Sequence, residues 1–308
     1  MCAWDHFIVC ERYPGPGEYT VVTSEFEQAG GTTSNTCAAL GKLGLAPMLA
    51  SCVGADEYGD AIIQSLDEAG CDTSAILRKV NLPTDRSHIV ISGRDDTLDR
   101  TIFWIQGAKP VAGEQFPVDQ ILNYRWVLID VDDPRLRQFW LDLPAHRSPR
   151  TRLIGTMIYL VDIPREQGWY QALQHDIVFG NRREFLALTG ASDLDSAIEM
   201  AREQMHGSAC EAMFISLGPA GSLAIRTSGV IRQPAFDVAA VDTTGAGDAF
   251  TAGCVWGILD GVDDEVILLR GNAIGGLSCT AMGARAGLPD RGSAEAALAS
   301  LQVRRDDA

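Results

Sequence analysis

Positive charge is scarce in this chain. Lysine and arginine together number 25 against 41 aspartates and glutamates, a net charge of −16. A duplex-binding protein needs a basic face to displace counterions from phosphates, and no basic stripe is present, which sets nucleic acid aside. The same acidity disfavours an anionic membrane surface. Long apolar runs are missing too, and none approaches the ~20 residues of a spanning helix. The opening residues, MCAWDHFIVCERYPGPGE, carry Asp5 and Glu11 early and lack a basic start followed by an apolar stretch. They do not read as a secretory leader, so a cytoplasmic protein is expected. The eight cysteines are scattered without a CxxC pair, which predicts buried, reduced thiols rather than disulfides or a zinc site. His6, His88, His146, His175 and His206 show no metal-ligand spacing. GxxxxGK[ST] is absent, and no GxGxxG follows the first strand, which excludes a P-loop and argues against a dinucleotide fold.

Hydrophobic residues, by contrast, make up 46% of the 308, enough for one large α/β domain or two smaller ones. Strand patterns fall at Phe7–Val9, Met48–Val53, Trp126–Val131, Arg152–Leu160, Ile177–Phe179, Met213–Leu217 and Leu223–Ile225. Several are apolar throughout, as strands covered on both faces are. Helical patterns lie between and after them: Ser34–Leu43, Glu57–Ala69, Leu194–Met205, Asp248–Leu259, Asp264 to about Met282, and about Ala294–Leu301. This alternation predicts a mostly parallel sheet with helices on both sides. Two segments break the rhythm. Roughly 7–28 and 87–105 are β-rich without intervening helices, and read as edge strands or, together, as a small projecting sheet. The last residues, RRDDA, are expected to fray.

The stretch VDTTGAGDAF, from Val241 to Phe250, removes its side chains just before a helix start and then places one acid there. The first N–H groups of a helix lack intrahelical partners and carry partial positive charge. An anion reaches them only where no Cβ atoms block the way, which glycine and alanine allow. The helix that follows, AFTAGCVWGIL, is apolar nearly all round and therefore buried. An acid at the end of such a helix suits a general base beside an anion cradle, a compact arrangement for phosphoryl transfer. The alternative is a tight turn with Asp248 capping or starting the helix.

DTTGAGDAF resembles the C-terminal motif of the ribokinase-like, or PfkB-type, carbohydrate kinases, and other segments follow in the family's order. AGGTTSNTCAALGKLG (29–44) is similar to the family's diglycine motif with its following Asn. WDHFIVCERYPGPGE is similar to the opening strand with its sugar-meeting Asp, and SCVGADEYGD to the next strand and helix start. NRRE (181–184) resembles NxxE, and SLGPAG (216–221) the nucleotide-side loop. The resemblance implies an α/β, ribokinase-like fold: one domain over 1–308, a mostly parallel central sheet flanked by helices, and a small β-sheet lid formed by about 7–28 and 87–105. It implies an ATP-dependent sugar kinase acting on a primary hydroxyl, its lid closing to exclude water. Asp248 would be the base, with the N–H groups of Gly245, Ala246 and Gly247 holding the transferring phosphoryl group. Asn181 and Glu184 would act near Mg2+ and the ATP phosphates. Ser216, Gly218 and Gly221 would line the nucleotide, with Asn272 near adenine or ribose. Asp5, Gly30, Gly31 and Asn35 would bind the sugar, Asp242 and Thr244 a K+ ion, and the lid a second copy of the chain.

Each assignment has a plainer reading from the residues alone. Gly30 and Gly31 also suit an ordinary turn before a helix, Asp5 a strand-end acid, Glu184 a first-turn acid favoured by the helix dipole, and Asn272 a packing residue. Asp130, Asp132 and Asp133 read as a solvated strand end or as part of an acceptor pocket. Phe103 and Trp104 read as strand packing or as rings stacked on a substrate. Thr32, Thr33 and Ser34 depart from the family pattern, and Leu153–Pro164 offers no clear acceptor-binding acid. GARAGLPD (283–290) resembles a segment of some ketose-phosphorylating members, which favours a ketose or pentose. Two rivals remain open: a nucleoside kinase of the same fold, and a non-catalytic sugar or nucleotide sensor.

Overall fold

Alternating apolar and amphipathic stretches fold into α/β layers. The computed structural model describes residues 1–93, 99–147 and 150–306. The middle of the β-rich segment 87–105, residues 94–98, lies outside the described residues. The chain clusters into two compact units, Met1–Gly41 with Ala46–Lys109, and Lys42–Leu45 with Pro110–Ala308.

The first unit contains β1 (Ala3–Cys10), β2 (Val22–Gly30), α1 (Thr32–Lys42), β3 (Ser51–Gly54), α2 (Glu57–Glu68), β4 (Ile76–Lys79), β5 (Arg86–Ser92) and β6 (Asp99–Ile105). The two segments that break the sequence rhythm hydrogen-bond into one four-stranded sheet of order β2-β1-β5-β6. β1 runs antiparallel to β2 and parallel to β5, and β5 antiparallel to β6. Phe7 and Phe26 stack across β1 and β2, their ring centroids 4.6 Å apart. α2 starts at an Asp56 cap whose carboxylate accepts from Gly59 N at 2.9 Å, and it buries Ile62 and Leu66. Asp56 also takes the Thr84 N–H at 2.8 Å, tying the helix start to the approach of β5.

The second unit begins with α3 (Val118–Ile121), β7 (Trp126–Ile129), α4 (Pro134–Arg147), β8 (Arg152–Thr156), α5 (Arg165–Ala172) and β9 (Ile177–Asn181). It continues with α6 (Arg182–Thr189), α7 (Leu194–Met205), β10 (Ala212–Ser216), β11 (Ser222–Arg226) and β12 (Gly229–Gln233). It ends with α8 (Ala246–Asp260), α9 (Asp264–Ser278) and α10 (Arg291–Asp306). Its sheet has the order β12-β11-β10-β9-β8-β7, parallel from β7 to β10 and antiparallel at β11 and β12. Val178, Met213, Ile215 and Leu223 face a core shared with Phe185 and Trp169 of α6 and α5. Strand alternation turns Phe179 and Phe214 to the opposite face, where their rings stack 5.3 Å apart. α8 is buried nearly all round and packs along α9. Trp256 of α8 lies within 4.1 Å of the Arg270 guanidinium and 4.7 Å of that of Arg291, which ties in α10.

Several boundaries differ from the sequence reading. The strand expected over Arg152–Leu160 stops at Thr156, because Leu160 N and Val161 N both fold back to Met157 O in a buried turn. α9 ends at Ser278 rather than near Met282, α10 continues to Asp306 through the tail expected to fray, and residues 307 and 308 lie outside the described ones.

Behind the parallel strands His175 is fully buried. Its Nδ1–H donates to Gln171 O at 2.9 Å, and its Nε2 faces Arg137 Nη1 at 3.5 Å, so its partners select the neutral ring. Burial, reinforced by the Arg137 charge, pushes its pKa from 6.5 down to about 3. A folded-state pKa below the unfolded one means the contribution is intact above pH 6.5 and is lost as pH falls toward about 3. At about pH 5 the loss is about 2 kcal/mol. Urea unfolding at about pH 7 and about pH 5 checks this: His175→Gln should lose less stability over that interval than the wild type.

Candidate active site

The residues expected from the resemblance to meet the phosphoryl group belong to the second unit. Gly245 precedes α8 with φ 75°, a left-handed conformation that leads the chain into the helix. A Cβ there would lie 2.8 Å from Ala284 Cβ, so Gly245 is fixed by both backbone and packing. Asp242 ties the turn together, its Oδ1 accepting from Thr244 N at 2.9 Å and Thr244 Oγ1 at 2.8 Å, and its Oδ2 from Gly283 N at 2.8 Å. Gly247 is different. It lies in the helix, has no left-handed φ, and a Cβ on it would meet nothing within 4 Å. Asp248 is in the first turn of α8 and is partly exposed, while Ala249 to Gly257 are buried. The Ala246 N–H is taken by Thr243 O at 3.2 Å, so the open approach is at Gly247, directly beside a partly exposed carboxylate.

A second group collects at the C-terminal edge of the parallel strands, where open α/β sheets bind ligands. Asn181 ends β9 and forms a reciprocal cap with Glu184 of α6. Asn181 Oδ1 accepts from Glu184 N at 2.9 Å, Asn181 N donates to Glu184 Oε2 at 3.1 Å, and Asn181 Nδ2 to Oε1 at 2.6 Å. Burial pushes the Glu184 carboxyl above its ordinary value, against these hydrogen bonds, and the charge of Asp130 adds to the rise. Ser216 ends β10 in register with Asn181. Gly218, with φ 61°, opens on free space, and a Cβ on Gly221 would run into Gln233 O. Asn272 of α9 donates to Pro234 O at 2.8 Å and so holds the segment after β12.

The residues expected from the resemblance to meet the acceptor belong to the first unit. Asp5 of β1 is buried, and its carboxylate lies over Gly30, where any Cβ would collide with it. Gly31, with φ 91°, turns the chain against Met1 O into α1, and Asn35 N donates to Gly31 O at 2.8 Å. The diglycine is thus a turn that also makes room for a buried acid.

The family model for pfkB family carbohydrate kinases matches residues 5–291. The chain belongs to this family. The ribokinase of Bacillus subtilis (strain 168) is 26% identical over 303 residues, covering 96% of this chain and 97% of that protein. A nucleoside kinase of Methanothermobacter thermautotrophicus is 25% identical over 299 residues, covering 95% and 91%. The structure of Arabidopsis thaliana ribokinase complexed with ribose and ATP matches with a TM-score of 0.80 at 26% identity, over 96% of each chain. As a carbohydrate kinase of this family, the protein is a phosphotransferase acting on a hydroxyl group.

In this pfkB-family kinase the acids after β7 take different places, and one residue beside them, Arg137, was not singled out by the sequence. Asp130, for which a solvated strand end was one reading, is buried and accepts from Thr156 Oγ1 at 2.6 Å. Asp133 accepts from Ala112 N at 3.0 Å and from Arg135 N at 2.8 Å, and these hydrogen bonds outweigh its partial burial to hold its carboxyl below the ordinary range. Arg137 is fully buried, donating to Ile129 O at 3.2 Å and Val131 O at 3.1 Å on either side of Asp130. Burial pushes its pKa down to about 10, partly offset by the Asp130 charge. Arg137→Met should therefore lower unfolding free energy by about 2 kcal/mol, because it takes the guanidinium donors from two carbonyls at a buried site. Arg137→Lys should recover only part of this, since one ammonium cannot serve both carbonyls. Chemical denaturation of the two variants measures the difference.

Proposed function

We propose that this kinase transfers the γ-phosphoryl group of ATP to a primary hydroxyl of a small sugar, a ketose or pentose. The observation that carries the reading is Gly247. Neither its backbone angle nor its packing calls for glycine, and Asp248 follows directly. A site that keeps anion access open beside one acid is what such a transfer requires. Asp248 takes the proton of the acceptor hydroxyl. The oxygen so freed attacks the γ-phosphorus, the bond to the β-phosphate oxygen breaks, and ADP leaves. Gly245, Ala246 and Gly247 provide the main-chain N–H groups that stabilise the moving charge, that of Ala246 exchanging its bond to Thr243 O for a phosphoryl oxygen.

Asp5, Gly30, Gly31 and Asn35 hold the sugar in this reading, and the four-stranded sheet of the first unit serves as the lid. Ser216, Gly218 and Gly221 line the nucleotide, with Asn272 keeping the adjacent segment in place. ATP is supported by the ribokinase relative whose complex contains it. Glu184 would face Mg2+ in this reading as a buried carboxylate whose two oxygens would be shared with the Asn181 donors that hold them. Such an ion would neutralise phosphate charge. Asp242 and Thr244 are bonded to each other, so K+ at that pair would share the Asp242 oxygens with the existing donors.

A nucleoside kinase is the second reading, favoured by the nucleoside kinase relative and by the half-exposed Trp104. An ADP-release screen over ketoses, pentoses, sugar acids and nucleosides, with Mg–ATP and with or without K+, tests both. Turnover confined to nucleosides would replace the sugar reading, and no turnover on any acceptor would leave the sensor.

A further inference from the structure

The four-stranded sheet of the first unit carries a row of side chains along one face. Asp5 is opposite Gln28 on β2 and Ser87 on β5, and Ser87 is opposite Trp104 on β6. Residues directly opposite across a sheet share a face, so the row reads Gln28, Asp5, Ser87, Trp104. Ser87, the smallest, leaves a trough between Asp5 and Trp104, about two strand spacings or ~9.6 Å from backbone to backbone. That width admits one small sugar ring.

The indole of Trp104 is held by a buried acid and flanked by a lysine. Its Nε1–H donates to Asp85 Oδ2 at 2.8 Å, and the other oxygen of this fully buried acid takes the Gly107 N–H at 2.7 Å. The Lys109 ammonium lies 5.2 Å from the ring centroid. Trp104 is nevertheless 40% exposed. At the opposite end of the row, Gln28 Nε2 is buried without a hydrogen-bond partner. A buried amide left unpaired is costly, and a hydroxylated ligand would supply what it lacks.

We propose that Trp104 is the acceptor-selecting residue of this kinase, and that Asp85 is the positioning residue that locks its indole. The acceptor is a five-carbon furanose ring, its hydroxyl edge toward Asp5 and its apolar face, or a planar substituent, against the indole. This deepens the functional reading above and rests on its placing of the acceptor at Asp5. Burial, opposed by the Trp104 hydrogen bond, raises the Asp85 carboxyl above its ordinary value, in keeping with an acid held for geometry rather than for exposed charge.

Calorimetric titration of the full chain with D-ribose, D-fructose and adenosine, and separately with ADP, tests the proposal. Trp104→Ala should weaken the bound acceptor about tenfold and leave ADP affinity unchanged. Trp104→Phe, which keeps a ring but loses the N–H, and Asp85→Asn, which keeps the shape but loses one acceptor oxygen, should weaken it less. Unchanged acceptor binding in Trp104→Ala, or equal loss for acceptor and ADP, overturns the proposal. A wild type that binds none of the three acceptors overturns it too. A wild type that binds an acceptor and ADP yet releases no ADP from ATP overturns the kinase reading and leaves the trough standing.

Discussion

Asp248→Asn is expected to fold like the wild type and to lose about 10²–10⁴ of its turnover. The two side chains are nearly the same size, but the amide cannot take a proton from a hydroxyl. Asp248 is partly exposed and sits in the first turn of α8, where a negative charge near the helix N-terminus is one contribution to stability that the amide removes. That term is about 0.3–1 kcal/mol, a shift of a few degrees at most in a chain of this size. Turnover and stability should therefore separate. The measurement is kcat at saturating acceptor and ATP, alongside the melting temperature and the KM for ATP. A fall in kcat with the KM for ATP held would match a group acting on the hydroxyl. Undiminished turnover would move the base to another residue.

Sequence and structure agree where a requirement is local. The left-handed turn at Gly245, the acid in the next helical turn and the apolar run behind it are all set by neighbours within a few residues, so DTTGAGDAF could be read directly. NRRE could be read in two ways, as a metal-side motif or as a helix start, and both bonds of the reciprocal cap are present. Where the determinants are distant, the sequence was silent. Nothing near Arg137 or His175 marks them as buried, because burial comes from strands and helices that meet only in the fold. Nothing near Asp85 announces that Trp104, nineteen residues on, donates to it. The end of β8 was misjudged because a buried turn is as apolar as a buried strand, and composition cannot tell them apart. α3, α4 and α5 have no counterpart among the expected helices, and of α6 only the start was read. α5 buries Gly168, Trp169, Gln171 and Ala172 without the spaced apolar stripe that reveals an amphipathic helix.

Gly247→Ala should move stability and activity in opposite directions. An added methyl meets no protein atom within 4 Å, and the residue is already helical, so nothing in the fold resists it. Alanine favours a helix over glycine by up to about 1 kcal/mol, which predicts an unchanged or slightly raised melting temperature. The same methyl would stand where the reading above places a phosphoryl group, and a misplacement of about 1 Å there costs on the order of 10²-fold in rate. Gly245→Ala supplies the contrast. At φ 75° and with Ala284 Cβ 2.8 Å from the new carbon, it should lower the melting temperature as well as the rate. Placing an L-residue in that left-handed turn costs about 1–2 kcal/mol before the clash is counted. The two alanines thus distinguish a glycine kept for the fold from a glycine kept for a ligand. If Gly247→Ala turned over like the wild type, the open space before α8 would not be the path of the transferred group, and the anion cradle would have to lie elsewhere.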